Sequence, residues 1–388
     1  MTRLLVLTQS ELTRDPRGRR AALEGRRRGL DVVGLCVADG VPIELEGIDV
    51  ERIGSGRVSA TLRAAGLGGP RRHAAPVREL RGVFRGLRLL ATTVRLTRAG
   101  RGLGAFEIVH ANDLDTLPAA WLLARRCEAR LVYDSHEIYA EQETDPPRLF
   151  RRAALAVERA LARRAAAVVT VSDPIARELE QTLGLRRPVI TWLNCPDRSG
   201  RDPETALDGP LRVIYQGAMG PGRSLTDLLD AAVFAEGCEI TLRVVGADRE
   251  ALGAEIAARG LDGRVRVAAP VNPDELVAAL APFEVGVIIN RPVTRNDELV
   301  FPNKLFEYLM AGLAVVVPAV PGLTPLLEAE AIGVTFEPGS PEGLGRSLAE
   351  LAGDRSRLAD LRSRARALAL ERLNAETQRE QLARAWGL

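Results

Sequence analysis

The stretch Leu211-Arg212-Val213-Ile214-Tyr215, followed by Gln216-Gly217-Ala218-Met219-Gly220-Pro221-Gly222-Arg223-Ser224-Leu225, sets the pattern of this chain. A short apolar run is typical of a buried strand, and the glycine-rich turn after it leads into a helix. Glycines let backbone N–H groups approach an anion, and the helix points its positive end at the same place. Arg223 stands at the start of the predicted helix. The stretch therefore predicts an anion site around Gly217 and Gly222, although a tight turn alone also favours glycine.

Apolar runs alternate with helical patterns along the whole chain, which is typical of βαβ units and parallel sheets. In the first half the runs lie at residues 4–7, 31–37, 106–110, 131–134 and 167–171. In the second half they lie at 211–215, 240–245, 265–267, 285–289 and 314–317. The sequence therefore predicts an α/β fold with two doubly wound sheets.

The chain has 388 residues, which exceeds the usual size of a single core. Residues 194–203 are polar and rich in helix and strand breakers, and Asp208-Gly209-Pro210 follows. We expect an N-terminal domain at 1–195, a linker at 196–209, a C-terminal domain at 210–370 and a final helix at 371–388. Two such domains facing each other would form a cleft at the carboxyl ends of their strands, where open α/β sheets bind ligands.

The composition excludes several classes of protein. A net charge of +2 and 4% aromatic residues provide neither the positive field nor the stacking surfaces of a nucleic-acid-binding protein. The four cysteines are widely separated and indicate small buried residues in a reducing compartment. No apolar run reaches the ~20 residues of a membrane span, and the N-terminal run is too short for a signal peptide. We therefore expect a cytoplasmic protein.

Residues 71–101 form a basic segment with nine Arg and one acid, Glu79, mixed with aliphatic residues. A basic amphipathic helix of this kind can lie on an anionic membrane surface, here the inner face of the membrane. The alternative is an ordinary surface helix in an arginine-rich protein, and the sequence leaves both open.

Lys304 is the only lysine among the 53 Lys and Arg residues. Lysine is a compact point charge often used against phosphate, whereas arginine is a planar fork. In the run Phe301-Pro302-Asn303-Lys304-Leu305-Phe306-Glu307-Tyr308, we expect Asn303 to cap a helix, with Lys304 in its first turn and Glu307 one turn later. Such a pair would hold a diphosphate and ribose hydroxyls; the alternatives are a surface ion pair or a lysine retained by chance.

Two of the three histidines follow predicted strands, in His110-Ala111-Asn112-Asp113 and in Asp134-Ser135-His136-Glu137. Both runs would lie at the carboxyl edge of the first sheet, where they could orient sugar hydroxyls or carry protons. The alternative is that each histidine is a hydrogen-bonded core residue. Asp113-Leu114-Asp115 resembles a metal-binding pattern, but without further ligands we interpret it as a turn and expect neither metal nor cofactor.

These motifs resemble those of the GT-B fold retaining glycosyltransferases, family 4 (glycosyltransferase group 1), over nearly the whole chain. The most specific parts are residues 215–223, 244–246, 302–308 and 311–312, with 109–113, 133–137 and 15–17 in the first half. The resemblance implies two Rossmann-like domains facing across a cleft. It also implies metal-independent transfer, with retention, from a nucleotide-sugar donor (a UDP- or GDP-sugar) to an acceptor sugar, lipid-linked glycan or small molecule.

The resemblance also implies roles for individual residues. Donor-binding residues would be Gly217, Gly222, Arg223, Asn303, Lys304 and Glu307. Catalytic residues would be Arg223, Lys304, His110 and His136. The acceptor and sugar side would be lined by Asn112, Asp113, Glu137 and Arg17.

Two positions depart from the family pattern. Leu299 stands where many members have an acid, and Ala218 stands where many have Arg. A UDP-sugar 2-epimerase of the same fold and a non-catalytic scaffold subunit are the alternative functions.

Overall fold

The computed structural model describes residues 1–39, 44–45, 47–54, 75–142, 145–200, 209–218, 224–272 and 275–388. The chain divides into two compact units. Unit 1 comprises Met1–Trp192 and Arg379–Leu388, and unit 2 comprises Leu193–Gln378.

Unit 1 contains a seven-stranded parallel sheet in the order β3-β2-β1-β4-β5-β6-β7. Its strands are β1 (Arg3–Thr8), β2 (Asp31–Val37), β3 (Asp49–Ile53), β4 (Ile108–Asn112), β5 (Arg130–Ser135), β6 (Ala167–Thr170) and β7 (Ile190–Thr191). The central strands are buried along nearly their whole length, which explains why they are apolar at consecutive positions. The order reverses between β1 and β4, so a crevice is expected at their carboxyl ends.

Among the residues that the structure describes, the α-helices before β7 are α1 (Pro16–Arg27), α2 (Ala75–Gly102), α3 (Asp113–Cys127), α4 (Arg148–Ala162) and α5 (Asp173–Leu183). The side chain of Asp15 caps α1 by accepting hydrogen bonds from the N–H groups of Arg17 and Gly18. This cap fixes the start of α1 beside the end of β1.

Unit 2 contains a six-stranded parallel sheet in the order β10-β9-β8-β11-β12-β13. Its strands are β8 (Leu211–Ala218), β9 (Cys238–Val245), β10 (Val265–Ala268), β11 (Val285–Val287), β12 (Ala314–Pro318) and β13 (Gly333–Phe336). The predicted α/β class with two doubly wound sheets is therefore confirmed.

The remaining helices are α6 (Leu225–Ala232), α7 (Arg249–Ala258), α8 (Arg295–Leu299), α9 (Asn303–Met310), α10 (Thr324–Glu330), α11 (Pro341–Gly353), α12 (Arg355–Glu371) and α13 (Ala375–Trp386). Gly312, with a φ of 73°, follows the last turn of α9 and ends the helix. Its N–H donates to the carbonyl of Leu309, and the N–H of Leu313 donates to the carbonyl of Tyr308. The other end differs from the prediction, because Pro302 occupies the cap position and Asn303 is already helical.

Each unit has its own hydrophobic core. In unit 1, buried residues of β1, β4 and β5 pack with Leu382, Ala385 and Trp386 from the end of α13. The end of α13 is also tied to unit 1 by the pair Arg28–Glu380, at 2.6 Å. In unit 2, two clusters of buried residues cover the sheet. Within the described part of the chain, no helix is both long and apolar enough to cross a bilayer.

Candidate active site

A set of polar side chains lies at the carboxyl ends of β4 and β5 in unit 1. This histidine cluster consists of Arg17, His110, Asn112, Asp113, Asp134 and His136. The parallel register pairs Asn112 with Asp134, so the residues that follow the two strands meet at one edge of the sheet.

Oxygen acceptors hold both ring nitrogens of His136. Its Nδ1 lies 3.1 Å from Asp113 Oδ2, and its Nε2 lies 3.1 Å from Asn112 Oδ1. The Asn112 amide is oriented by its Nδ2–H, which donates to the carbonyl of Leu7 at 2.8 Å. Two acceptors require two N–H donors, so His136 is an imidazolium. Burial by itself would lower the pKa of His136, but the carboxylates of Asp113 and Asp134 outweigh burial and raise it to about 10.

Asp134 is a fully buried carboxylate that stays ionised. Burial alone would raise the pKa of Asp134, yet Arg17, His136 and His110 hold it well below its usual range. The Nε of Arg17 lies 2.7 Å from Asp134 Oδ2, and the Nε2 atoms of His110 and His136 lie 3.4 and 3.7 Å from the same oxygen. One buried oxygen therefore organises three basic side chains.

Within the histidine cluster, His110 and Arg17 are buried and contact Asp134. Trp386 donates its Nε1–H to His110 Nδ1 at 3.2 Å, so the ring hydrogen of His110 lies on Nε2 and points to Asp134. His110 exposes no surface and Arg17 exposes 3%. The Arg17 guanidinium also donates to the carbonyl of Trp192 at 2.7 Å. We therefore assign both residues a supporting role, in place of the direct sugar contact that the sequence predicts.

The side chains of His136 and Asp113 reach the surface, with 19% and 30% of their area exposed. Asp113 has a φ of 58°, a left-handed conformation that is uncommon outside glycine. This backbone turns the carboxylate back, so that Asp113 Oδ1 also accepts the N–H of His136 at 3.0 Å. Glu137 is half-buried beside them. His136, Asp113 and Glu137 can therefore meet a ligand directly.

A second set of residues lies at the carboxyl end of β8 in unit 2. This Lys304 group consists of Tyr215, Gln216, Gly217, Lys304 and Glu307. Lys304 exposes 9% of its surface, and its Nζ lies 4.4 Å from the ring centroid of Tyr215. A Cβ atom on Gly217 would lie only 2.8 Å from that Nζ. Because Lys304 is in the first turn of α9, its charge adds to the positive end of the helix and favours an anion there.

Glu307 is oriented by a chain of hydrogen bonds across the sheet. Gln216 Nε2 donates to Glu307 Oε2 at 2.5 Å, and Arg243 Nη1 donates to Gln216 Oε1 at 3.2 Å. The Gln216 N–H donates to the Tyr308 hydroxyl at 3.0 Å. Burial lowers the pKa of the Arg243 guanidinium. The half-buried carboxylate of Glu307 is thus held in place one turn beyond Lys304.

The other predicted donor residues have different positions. Asn303 is exposed and does not cap α9, because its backbone is already helical. Lys304 is buried against Tyr215, which does not match the alternative of an ion pair on an exposed helix surface. Gly222 and Arg223 lie outside the described residues.

The sequence does not single out three residues that organise these sets: Asp134, Arg243 and Trp386. Arg243 gives a signal, since it is a charged residue inside the apolar run of β9. Asp134 gives a weaker one as the acid that ends an apolar strand. Trp386 gives none, because only tertiary structure brings it to His110.

Among the described residues, no group of three or more His, Cys, Asp or Glu side chains is arranged to hold a metal ion.

Two family models match the sequence, one after the other along the chain. A model described as a glycosyl transferase 4-like domain matches residues 16–195, and a model described as glycosyl transferases group 1 matches residues 210–354. The chain belongs to the group 1 glycosyltransferases. No match is found among curated proteins.

The fold of this glycosyltransferase is similar to that of several solved structures. One is Anabaena HepE (Alr3699) in complex with UDP, with a TM-score of 0.71 and 18% identity over the full length of both chains. Sucrose-phosphate synthase from Thermosynechococcus elongatus has a TM-score of 0.71 and 16% identity, with 100% of this chain and 98% of that chain covered. A glycosyltransferase from Rickettsia africae has a TM-score of 0.72 and 12% identity, with 99% and 97% covered. At these identities the likeness shows the GT-B fold alone.

Proposed function

We propose that this glycosyltransferase moves a sugar from a UDP- or GDP-sugar to an acceptor hydroxyl, with retention at the anomeric carbon and without a metal ion. The observation that carries the proposal is the buried ammonium of Lys304, held between Gly217 and Tyr215 at the carboxyl end of β8. A UDP-sugar donor is supported by the similar fold of Anabaena HepE, which was solved with UDP-glucose.

In this reaction the bond between the anomeric carbon and the diphosphate oxygen breaks, and its electron pair stays on the diphosphate. The acceptor oxygen bonds to the same carbon, and its proton passes to the departing diphosphate. Lys304, with Arg223, stabilises the negative charge that grows on the diphosphate. Glu307, held by Gln216, accepts hydrogen bonds from the ribose hydroxyls. Backbone N–H groups near Gly217 and Gly222, and the exposed Asn303, complete the donor site.

The histidine cluster of unit 1 supplies the sugar and acceptor side. Because its pKa is about 10, His136 is a stable cation near neutral pH, and it acts through its positive charge and not as a base. Asp113 and Glu137 orient hydroxyls around it, whereas Asn112, predicted on this side, is 2% exposed and positions His136 instead. His110 acts through Asp134 and is a positioning residue.

The product class we propose is a cell-surface polysaccharide, a glycolipid or a secondary metabolite, with an acceptor sugar, lipid-linked glycan or small molecule as the substrate. We propose a cytoplasmic reaction at the inner face of the membrane. The polar edge formed by His136 and Asp113 suits an acceptor that presents hydroxyl groups.

The test combines thermal shift with UDP-, GDP- and dTDP-sugars and a transfer assay on the Lys304 variants. We expect one nucleotide class to raise the melting temperature. Lys304→Ala should lower transfer by about a hundredfold or more, since it removes a charge that acts on the developing anion. Lys304→Arg should also be poor, because a planar fork does not replace a point charge in a tight space.

Arg346→Gln is the matched control, since Arg346 is a unit 2 cation whose side chain is 70% exposed. Its transfer rate should equal that of the wild type. Stabilisation by no nucleotide would contradict the proposal, and full activity of Lys304→Arg would remove the special role of lysine. Conversion of the donor sugar without transfer would favour an epimerase, and binding without turnover would favour a scaffold.

A further inference from the structure

The helix α2 presents its large aliphatic side chains to solvent. Leu80, Val83, Leu87, Leu90 and Val94 expose between 49% and 62% of their surface. Their spacing of three and four residues puts them on one face of the helix. We call this row the α2 stripe.

The buried face of α2, which packs on the rest of unit 1, combines small and polar residues with the fully buried Leu96. A Cβ on Gly82 would lie 2.7 Å from Pro147, and a Cβ on Gly100 would lie 2.5 Å from Leu123. Thr97 is buried, and its hydroxyl donates a hydrogen bond to the carbonyl of Thr93 at 2.7 Å. Small residues let the buried face pack closely, while the α2 stripe is a second apolar row that stays exposed. An apolar row of this kind on a surface helix indicates an interaction site.

Arginine side chains border the α2 stripe. Arg81, Arg88 and Arg95 recur every seven residues, which puts them along one edge of the stripe. Arg98 and Arg101 are exposed beyond its C-terminal end. The acid of the segment, Glu79, is engaged elsewhere, because its carboxylate accepts the N–H groups at residues 148 and 149, at 3.0 and 3.3 Å.

The helix α4 packs beside α2 and also exposes arginines and an aliphatic side chain. Its N-terminal Leu149 is 67% exposed. Four of its arginines are exposed: Arg148, Arg151, Arg152 and Arg159. Its acid, Glu158, is buried, and burial raises the pKa of Glu158 to about 7 while it accepts the Tyr133 hydroxyl at 2.7 Å. The exposed face of α4 is therefore basic and partly apolar.

We propose that the α2 stripe and the arginines around it dock this protein on the surface of an anionic phospholipid bilayer. The aliphatic side chains enter the boundary between headgroups and acyl chains, and the guanidinium groups meet lipid phosphates. The helix lies along the surface and does not cross it, because seven arginines are distributed over its length. The stripe lies outside the histidine cluster and the Lys304 group, so docking stands or fails independently of the transfer reaction.

A second copy of the chain is a poorer occupant of this face. Pairing two α2 stripes would bring the same arginine rows together, and within the described part of α2 only Glu79 could oppose them. Its carboxylate already holds the start of α4. An anionic bilayer instead supplies negative charge to every arginine at once.

Co-sedimentation with vesicles tests the proposal. Full-length protein should bind phosphatidylcholine vesicles that contain phosphatidylglycerol, bind vesicles of phosphatidylcholine alone weakly, and release as salt is added. The double variant Leu87→Gln/Leu90→Gln should bind about tenfold more weakly, because it removes apolar area that enters the bilayer. The double variant Arg98→Gln/Arg101→Gln should lose part of the preference for anionic lipid.

Val233→Gln is the matched control, since Val233 is a 60% exposed aliphatic residue of unit 2. It should bind vesicles as the wild type does. Wild-type protein that ignores anionic vesicles, or a stripe variant that binds them fully, would overturn the proposal. A dimer in light scattering that dissociates in the stripe variant, without vesicle binding, would assign the face to a second copy instead.

Discussion

Residue 217 has to be small for the ammonium of Lys304 to lie where it does. A Cβ on Gly217 would be 2.8 Å from Lys304 Nζ, and the φ of 156° at Gly217 is rare for any other residue. We expect Gly217→Ala to displace the ammonium and weaken UDP binding by about tenfold, the usual effect of losing one contact to a charged group. Isothermal titration calorimetry with UDP measures this directly.

Gly253→Ala is the control for this substitution. Gly253 lies in α7, and a Cβ there would meet no atom within 4 Å. This variant should bind UDP as the wild type does and be slightly more stable, since alanine favours a helix. Unchanged UDP affinity in Gly217→Ala would mean that Lys304 does not contact the nucleotide.

For single residues, the sequence predicts a place in the site from the residue type and from its position after a predicted strand. Lys304 is conspicuous because it is the only lysine, and Glu307 follows it by one helical turn. The hydrogen bonds that hold Glu307 in place could not be predicted in this way. Arg243 is 61 residues from Lys304 in sequence, and no local pattern predicts that it would reach Gln216. Contacts of this type depend on strand register, which single residues do not encode.

The last helix, α13, contributes to the histidine cluster through one side chain. Trp386 fixes the tautomer of His110 by donating to its Nδ1. In Trp386→Phe this donor is lost while an aromatic ring still fills the space. We expect His110 to become a mixture of tautomers, transfer to fall several-fold, and the free energy of unfolding to fall by about 1 kcal/mol. Nitrogen-15 NMR of the histidine rings reports the tautomer, which a purely structural effect would not change.

Trp121→Phe provides the comparison, because Trp121 lies on α3 beside Arg125 and away from this contact. Its histidine spectrum and transfer rate should match those of the wild type. A single Nε2–H tautomer in Trp386→Phe would show that the indole does not control His110.

Local patterns predict most elements, and the exceptions have physical reasons. The buried central strands are visible as apolar runs, whereas β3 is half-exposed and β7 has two residues. Gly312 predicts the end of α9 because a left-handed residue is needed there. Asn303 misleads, because asparagine favours a cap position but Pro302 occupies it here.

For the whole molecule, the alternation of strands and helices predicts two sheets but not how the chain ends. The sequence separates a final helix at 371–388, yet it contains no pattern that assigns the helix to one sheet. In the structure Arg379–Leu388 groups with unit 1, which gives that unit a buried tryptophan from the far end of the chain. Long-range packing of this kind follows from the assembled core and not from periodicity.

Because His136 lies in unit 1, the unfolding free energy of that unit should depend on alkaline pH. Folding raises the pKa of His136 from 6.5 to about 10, so its stabilising effect is complete below about pH 6.5 and is lost as the pH rises towards 10. With one lysine in the chain, few other cations titrate in this range. Allowing for partial exposure, we expect unit 1 to lose about 2 kcal/mol of unfolding free energy between about pH 8 and about pH 10.

All three tryptophans, Trp121, Trp192 and Trp386, lie in unit 1, so tryptophan fluorescence follows the unfolding of that unit in urea. The fluorescence midpoint should fall as the pH rises, and it should fall much less in His136→Gln, which cannot carry the charge. Circular dichroism reports both units and should retain a component that does not follow this shift. An equal fall in wild type and His136→Gln would mean that the imidazolium does not stabilise unit 1, and that His136 meets its ligand as a neutral ring.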